Sequence, residues 1–166
     1  MRLGLKTETG RVITACGVKP MAKVAWKRDN FWVYGVVEPL SGWHFEQEYA
    51  QLNSEQFQSF LDALSTELGE DRALIQLDRA QAHQAQSLRW AENLIPVLQP
   101  AHSPELNPAE RFWQYLKSQL EGEHFTTIAQ MQKRLSQILG ELLPEQVASL
   151  TSYDFILEAL FYAALN

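Results

Sequence analysis

Cysteine is nearly missing from this chain of 166 residues: Cys16 stands alone, which excludes an internal disulfide and a thiolate cluster for zinc. The lone thiol is expected to be buried. No apolar run approaches the roughly 20 residues that a bilayer-spanning helix needs. MRLGLKTETGR at the start is positive but has no continuous apolar stretch, so it does not read as a secretory signal. A cytoplasmic location without membrane contact is expected. Basic residues are also scarce, 14 Lys and Arg against 20 Asp and Glu, for a net charge of -6. That balance argues against broad attraction to DNA, because phosphate contacts come from Lys and Arg. A local basic patch is left open by Arg2, Lys6, Arg11, Lys19, Lys23, Lys27 and Arg28, whose ordinary alternative is solvated surface.

What is present describes a globular domain. Apolar residues make up 46% and charged residues 20% of the chain, and the mean hydropathy is -0.25, which together exclude a disordered or membrane-embedded chain. With no repeat, low-complexity tract or linker, residues 1–166 read as a single domain.

The order of elements is informative. RVITA, KVAW, FWVYGVV and WHFEQEY favour strands between Arg11 and Tyr49, with EPLSG as a turn carrying Pro39 and Gly42. From Asn53 the period changes. Phe57, Phe60, Leu61, Leu64 and Leu68 fall at helical spacing, with Asn53 or Ser54 as cap and Gly69 as stop. The short apolar run ALIQL ends at Asp78, a short helix is expected over 83–92, and LIPVLQ over 94–99 reads as another buried strand. A helix then holds Phe112, Trp113, Leu116 and Leu120 on one face, followed by helices over 127–143 and 153–165. The second of these is expected to use Thr151 and Asp154 in capping-box spacing. Antiparallel strands, a helix, then alternating strands and helices describe a mixed α/β sandwich.

Two acids stand at special places in this order. Asp78 follows a short buried strand, and Glu110 lies in the first turn of the helix after the next strand. Carboxyl ends of neighbouring parallel strands gather along one sheet edge, where polar residues share a crevice. Facing carboxylates repel unless a proton or cation lies between them. Mg²⁺ takes few protein oxygens and keeps waters or phosphates, and two such ions about 3.5–4 Å apart suit phosphodiester chemistry. The plainer alternatives are a turn role for Asp78 and, for Glu110, a capping box with Asn107 as N-cap and Pro108 as N1. His83 reads as a hydrogen-bonded or surface histidine, and the five tryptophans as core or strand surface rather than a base-stacking platform.

LDRAQAH (77–83), LQPAHSPELNPAERFWQYLK (98–117) and GRVITACGVKP (10–20) resemble bacterial insertion-sequence transposases of the mariner-like group. These belong to the DDE transposase and integrase superfamily, with a ribonuclease-H-like α/β fold, a mixed sheet flanked by helices. The resemblance covers nearly the whole chain. The block S-P-E-L-N-P-x-E-R-x-W carries most of its specificity. It implies that Asp78 and Glu110 are two of three catalytic, metal-binding acids, with Mg²⁺ or Mn²⁺ as cofactor, two ions in an intact member. It also implies metal-dependent DNA strand cleavage and transfer, with transposon-end and target DNA as partners. No DNA-binding residue is assigned.

There are departures from the family's pattern. The first family acid ends a strand immediately before a segment like Arg2 to Leu5, and this chain begins at Met1. It therefore reads as an N-terminally truncated catalytic domain with a helical C-terminal extension over about 126–166, lacking its first, central strand and expected to be inactive. Arg79 and Ala101 stand where the family often has Asn and Pro. The strands around 31–37 and 73–77 would then have open inner edges, costing ~1–3 kcal/mol for each buried unpaired backbone group. That vacancy is filled by residues 1–15, filled by a partner, or left sticky. One alternative reading is a non-catalytic remnant that regulates or pairs with a full-length transposase or with itself. The other is a general ribonuclease-H-like nuclease with Glu8, Glu46 or Glu48 as third acid.

Overall fold

A computed structural model describes residues 1–5, 15–17, 19, 29–78, 80–100 and 103–158. Its centre is β2 (Asn30–Val37), whose NFWVYGVV is rich in the aromatic and β-branched residues that fit a pleated surface. Antiparallel β3 (His44–Tyr49) pairs with it from Trp32 opposite Tyr49 to Val37 opposite His44. On the other edge, β1 (Arg2–Gly4) pairs antiparallel from Arg2 opposite Trp32 to Gly4 opposite Asn30. The expected turn between β2 and β3 forms. Gly42 N–H donates to the Glu38 carbonyl at 2.9 Å, and the Glu38 carboxylate accepts the Leu40 N–H at 2.9 Å. Gly42 has φ +75°, and a Cβ there would lie 1.8 Å from the Pro144 carbonyl oxygen.

The two-residue period of β2 builds two cores. Phe31 and Val33 are buried with Leu3, Leu5, Phe112, Leu116 and Leu135 on one face. Gly35 continues that face, and a Cβ on it would lie 2.5 Å from Cη2 of Trp113. Tyr34 points the other way, into Phe57, Phe60, Leu61 and Leu64 of α1 (Ser54–Leu68). This helix starts where the sequence predicts: Asn53 Oδ1 accepts the Gln56 N–H at 2.8 Å, and Gly69, with φ +59°, ends it.

β4 (Ala73–Leu77) and β5 (Leu94–Leu98) are parallel, in register from Ala73 opposite Leu94 to Leu77 opposite Leu98. Ile75, Leu77 and Leu94 face the α1 cluster, while Leu74 is 71% exposed. After β5 come α2 (Pro108–Leu120), α3 (Ile128–Glu141) and α4 (Pro144–Thr151). Their apolar faces cover the Phe31 and Val33 side of β2.

Among the described residues the strands form two sheets, β1-β2-β3 and β4-β5. Residues 1–5 do enter the space beside β2. Val33 N–H donates to the Met1 carbonyl at 2.8 Å, and the Met1 amino group donates to the Val33 carbonyl at 2.6 Å. Alternation then aims the backbone groups of Gly35 and Val37 at this same edge, where no described residue pairs with them.

Three expectations are corrected. No α-helix covers 83–92; the segment has one 3₁₀ turn, Gln81–Gln84, and then irregular chain. Side chains replace the helical hydrogen bonds there: Gln58 accepts the Arg89 N–H at 2.7 Å and donates to its carbonyl at 2.9 Å. The described part of the expected helix over 153–165 is helical at residues 154–158, but Thr151 does not cap it, because its hydroxyl donates back to the Val147 carbonyl at 2.8 Å as the last residue of α4. Cys16 is exposed, in a turn with Gly17 at φ +84°, and not buried. The expected strands RVITA and KVAW lie almost wholly outside the described residues.

Candidate functional site

Asp78 is the first residue beyond β4. One of its oxygens accepts the Ala80 N–H at 3.0 Å and meets His83 Nδ1 at 2.6 Å. The His83 ring packs on Phe57 with centroids 4.4 Å apart. Its side chain is 16% exposed, against 59% for Asp78. The histidine thus anchors one oxygen of a carboxylate whose remaining surface faces solvent. The turn role weighed for Asp78 is real, and it orients the acid.

Glu110 is placed from the other direction. The Asn107 side chain accepts the Ala109 N–H at 3.0 Å, Pro108 occupies the first position of α2, and Pro108 and Ala109 are buried. With the first turn pinned this way, Glu110 is left exposed at the N-terminus of α2, where a negative charge complements the helix dipole. Ahead of the cap, Pro104–Leu106 form a 3₁₀ turn.

A bond not anticipated from sequence joins the two placements. Gln76, two residues before Asp78, donates through Nε2 to the Leu106 carbonyl at 2.8 Å. The parallel ladder continues to Gln99, whose N–H reaches the Leu77 carbonyl at 2.8 Å. The strand end that carries Asp78 and the turn that presents Glu110 are therefore tied together. A polar residue inside ALIQL was the available signal for Gln76.

Electrostatics at the start of β1 report the same juxtaposition. Burial holds the Met1 amino group down to about 6, against the upward pull of the Glu110 and Asp78 carboxylates, while Lys117 also pushes it down. Both acids act on one point beside β2. Their hard, exposed oxygens suit Mg²⁺ or Mn²⁺ in kind. Among the described residues, no three His, Cys, Asp or Glu side chains gather as for a complete cation site, so the donor set fits in chemistry and is partial in number.

The other acids considered are engaged elsewhere or not described. Glu46 meets His44 Nδ1 at 2.9 Å, and Glu48 accepts from Gln132 Nε2 at 2.6 Å. Burial pushes the Glu48 carboxyl up, opposed by that hydrogen bond. Both lie on β3, across β2 from β1. Glu8 lies outside the described residues, as do Lys6, Arg11, Lys23, Lys27 and Arg28. Arg2 stacks over Trp32 at 5.9 Å, and Trp113 is a core residue. Among the described residues, no helix is long and apolar enough to cross a membrane.

A family described as DDE superfamily endonuclease matches residues 1–132. Similar solved structures include the Mos1 transposase paired-end complex with left transposon end, at TM-score 0.70 and 15% identity over 91% of this chain and 49% of that one. The Mos1 mariner paired end complex with Mn is similar at TM-score 0.71 and 15% identity, over 91% and 49%. The catalytic domain of Mos1 mariner transposase is similar at TM-score 0.58 and 15% identity, over 74% and 68%. This chain thus spans about half the length of the longer Mos1 chains, and identity at that level speaks for the fold. No curated protein matches.

Proposed function

The chain belongs to the DDE superfamily endonuclease family, and from that premise we propose that it is the catalytic domain of a mariner-like transposase, in which Asp78 and Glu110 hold divalent cations against DNA. The ribonuclease-H-like α/β fold is the one it shares with the Mos1 catalytic domain. The observation that carries the proposal is the Gln76 to Leu106 bond, which ties the strand end of Asp78 to the turn that presents Glu110.

When bound, the cation supplies positive charge to phosphate oxygens during strand cleavage and transfer. The protein's own residues do the positioning. His83 and the Ala80 N–H fix one oxygen of Asp78 and leave the other available. Asn107 and Pro108 set the direction of the first turn of α2, and the expected capping box does not form among the described residues: Asn107 takes the Ala109 N–H and the Glu110 carboxylate plays no part in the cap. By the same proposal the DNA partners are transposon-end and target DNA, and residues 1–166 form one domain whose helices from about 126 onward are an extension. A general nuclease with Glu46 or Glu48 as third acid gains no support, since those carboxylates are committed to His44 and Gln132.

Through Asp78 and Glu110 the chain should bind Mg²⁺ or Mn²⁺. The test is paramagnetic broadening by Mn²⁺ in amide spectra. Broadening centred on residues 76–80 and 107–111, lost in Asp78→Asn and in Glu110→Gln, supports the proposal. Uniform broadening, or broadening unchanged in both variants, defeats it.

A further inference from the structure

One face of the β4–β5 pair is packed on α1, and the other is largely open to solvent. In the parallel register Leu74 lies opposite Ile95 and Gln76 opposite Val97, and these four share the side that points away from the α1 cluster. Leu74 is 71% exposed, Ile95 44% and Val97 46%. Three large apolar side chains stand together there with no charge among them, a patch whose burial would be favourable.

The surroundings of this face identify what covers it. Gln76 bonds the Leu106 carbonyl, so the turn ahead of α2 borders the patch. Glu105 of that turn also lines a groove of about 690 Å³ together with Glu110, Arg111, Lys117, Tyr153 and Phe155. At Tyr153 a further helix begins: residues 154–158 are helical, and the Ile156 and Leu157 N–H groups both donate to the Tyr153 carbonyl, at 2.9 and 3.0 Å. This helix therefore starts beside the turn that borders the patch. The sequence continues as ALFYAALN, residues 159–166, which lie outside the described residues and contain no charged side chain. Leu157, Leu160, Phe161, Ala164 and Leu165 recur at the spacing of one helical face. Eight helical residues span about 12 Å, while neighbouring strands lie about 5 Å apart and Ile95 to Val97 covers about 7 Å. Segment and patch thus agree in size and in polarity. The match to the family ends at residue 132, ahead of this segment.

We propose that residues 159–166 extend this helix across β4 and β5 and cover Leu74, Ile95 and Val97, with Leu160, Phe161 and Leu165 against the sheet. The occupant is the chain's own segment because it begins next to the patch, so only a short closure is needed, whereas a second copy would lose its translational and rotational freedom on docking. The strand covered in this way is the one that ends at Asp78, so the segment braces that acid from behind. The inference does not rest on what Asp78 binds.

The test is nitroxide broadening in amide spectra of the full chain, with Cys16→Ser removing the exposed thiol and Ala163→Cys, on the far side of the apolar stripe, carrying the label. Broadening is expected to be strongest at residues 74–76 and 95–97, to be lost in Leu74→Asp and to be kept in Leu74→Met. Leu74→Asp should also lower the urea midpoint, whereas a position left 71% exposed would tolerate the charge. Phe161→Ser should lower it too, and the double variant by less than the sum of the two shifts. Mixing labelled chain at natural isotope abundance with unlabelled, nitrogen-15-enriched chain separates the occupants. Silence in the mixture supports the chain's own segment, and broadening of the same amides there gives the face to a second copy and overturns the proposal. Broadening absent from residues 74–76 and 95–97, or unchanged in Leu74→Asp, also overturns it, as does a urea midpoint that neither Leu74→Asp nor Phe161→Ser moves.

Discussion

Gln76 and Leu106, 30 positions apart in sequence, are joined by one hydrogen bond of 2.8 Å. It links the strand that ends at Asp78 to the turn that starts the helix of Glu110. Because Gln76 is exposed, water replaces the lost partner when the amide is removed, and the stability cost of Gln76→Leu should stay below about 1.5 kcal/mol. Its larger effect should fall on geometry: Mn²⁺ titration followed by amide broadening should show weaker binding than in the unaltered chain. Equal Mn²⁺ affinity in the two proteins would show that the bond does not align the acids.

Asn107 caps α2 through the Ala109 N–H. Asn107→Ala should cost about 0.5–2 kcal/mol, and Asn107→Asp should retain most of the stability because aspartate caps equally well. Urea unfolding of the three proteins checks this. A variant pair with identical midpoints would mean that buried Pro108 and Ala109 alone hold the turn.

Gly35 lies beneath Trp113, so Gly35→Ala inserts a methyl group into a closed contact at a cost of about 1–3 kcal/mol. Shortening the ring relieves the closest contact and leaves the one with Glu46 Cγ, 2.9 Å from the added carbon. In a double-mutant cycle with Trp113→Leu, the two costs should fall short of additivity by about 0.5–3 kcal/mol. Strict additivity in thermal unfolding would show that the strand shifts instead.

His44 is held by the Glu46 carboxylate at 2.9 Å, which raises its pKa, while burial opposes the rise. The pair's contribution is complete below about 6.5, the ordinary histidine value, and is lost as pH climbs through the higher value of the folded state. The destabilisation caused by His44→Gln, on the order of 1 kcal/mol at pH 6, should therefore shrink toward pH 9. A penalty constant across urea titrations from pH 5.5 to 9 would contradict the ion pair.

Local signals made much of this fold legible. Asn53 and Gly69 bracket α1 because a side-chain acceptor and a positive-φ stop act within a few residues of the helix ends. Asn107 and Pro108 mark the start of α2, and the aromatic and β-branched run 31–37 marks β2. Asp78 and Glu110 stand at a strand end and in a first helical turn, as their positions in the sequence suggest, while the role proposed for them came from the family resemblance. What stayed hidden depends on distant partners. The segment 83–92 looks amphipathic, but Gln58, 31 positions away, binds the Arg89 backbone. α4 went unseen because Pro144 reads as the end of the preceding helix when it is the first residue of the next. Gln76 and the groove formed by Arg111, Lys117 and Phe155 needed three-dimensional proximity that no spacing rule supplies.

The fit between Gly42 and the Pro144 carbonyl has a temporal consequence. The tip of the β2–β3 hairpin is covered by a segment about a hundred residues further along the chain. At synthesis rates of roughly 5–20 residues per second, the hairpin leaves the ribosome several seconds before its cover exists. For that interval the nascent protein displays a tip that only later translation conceals.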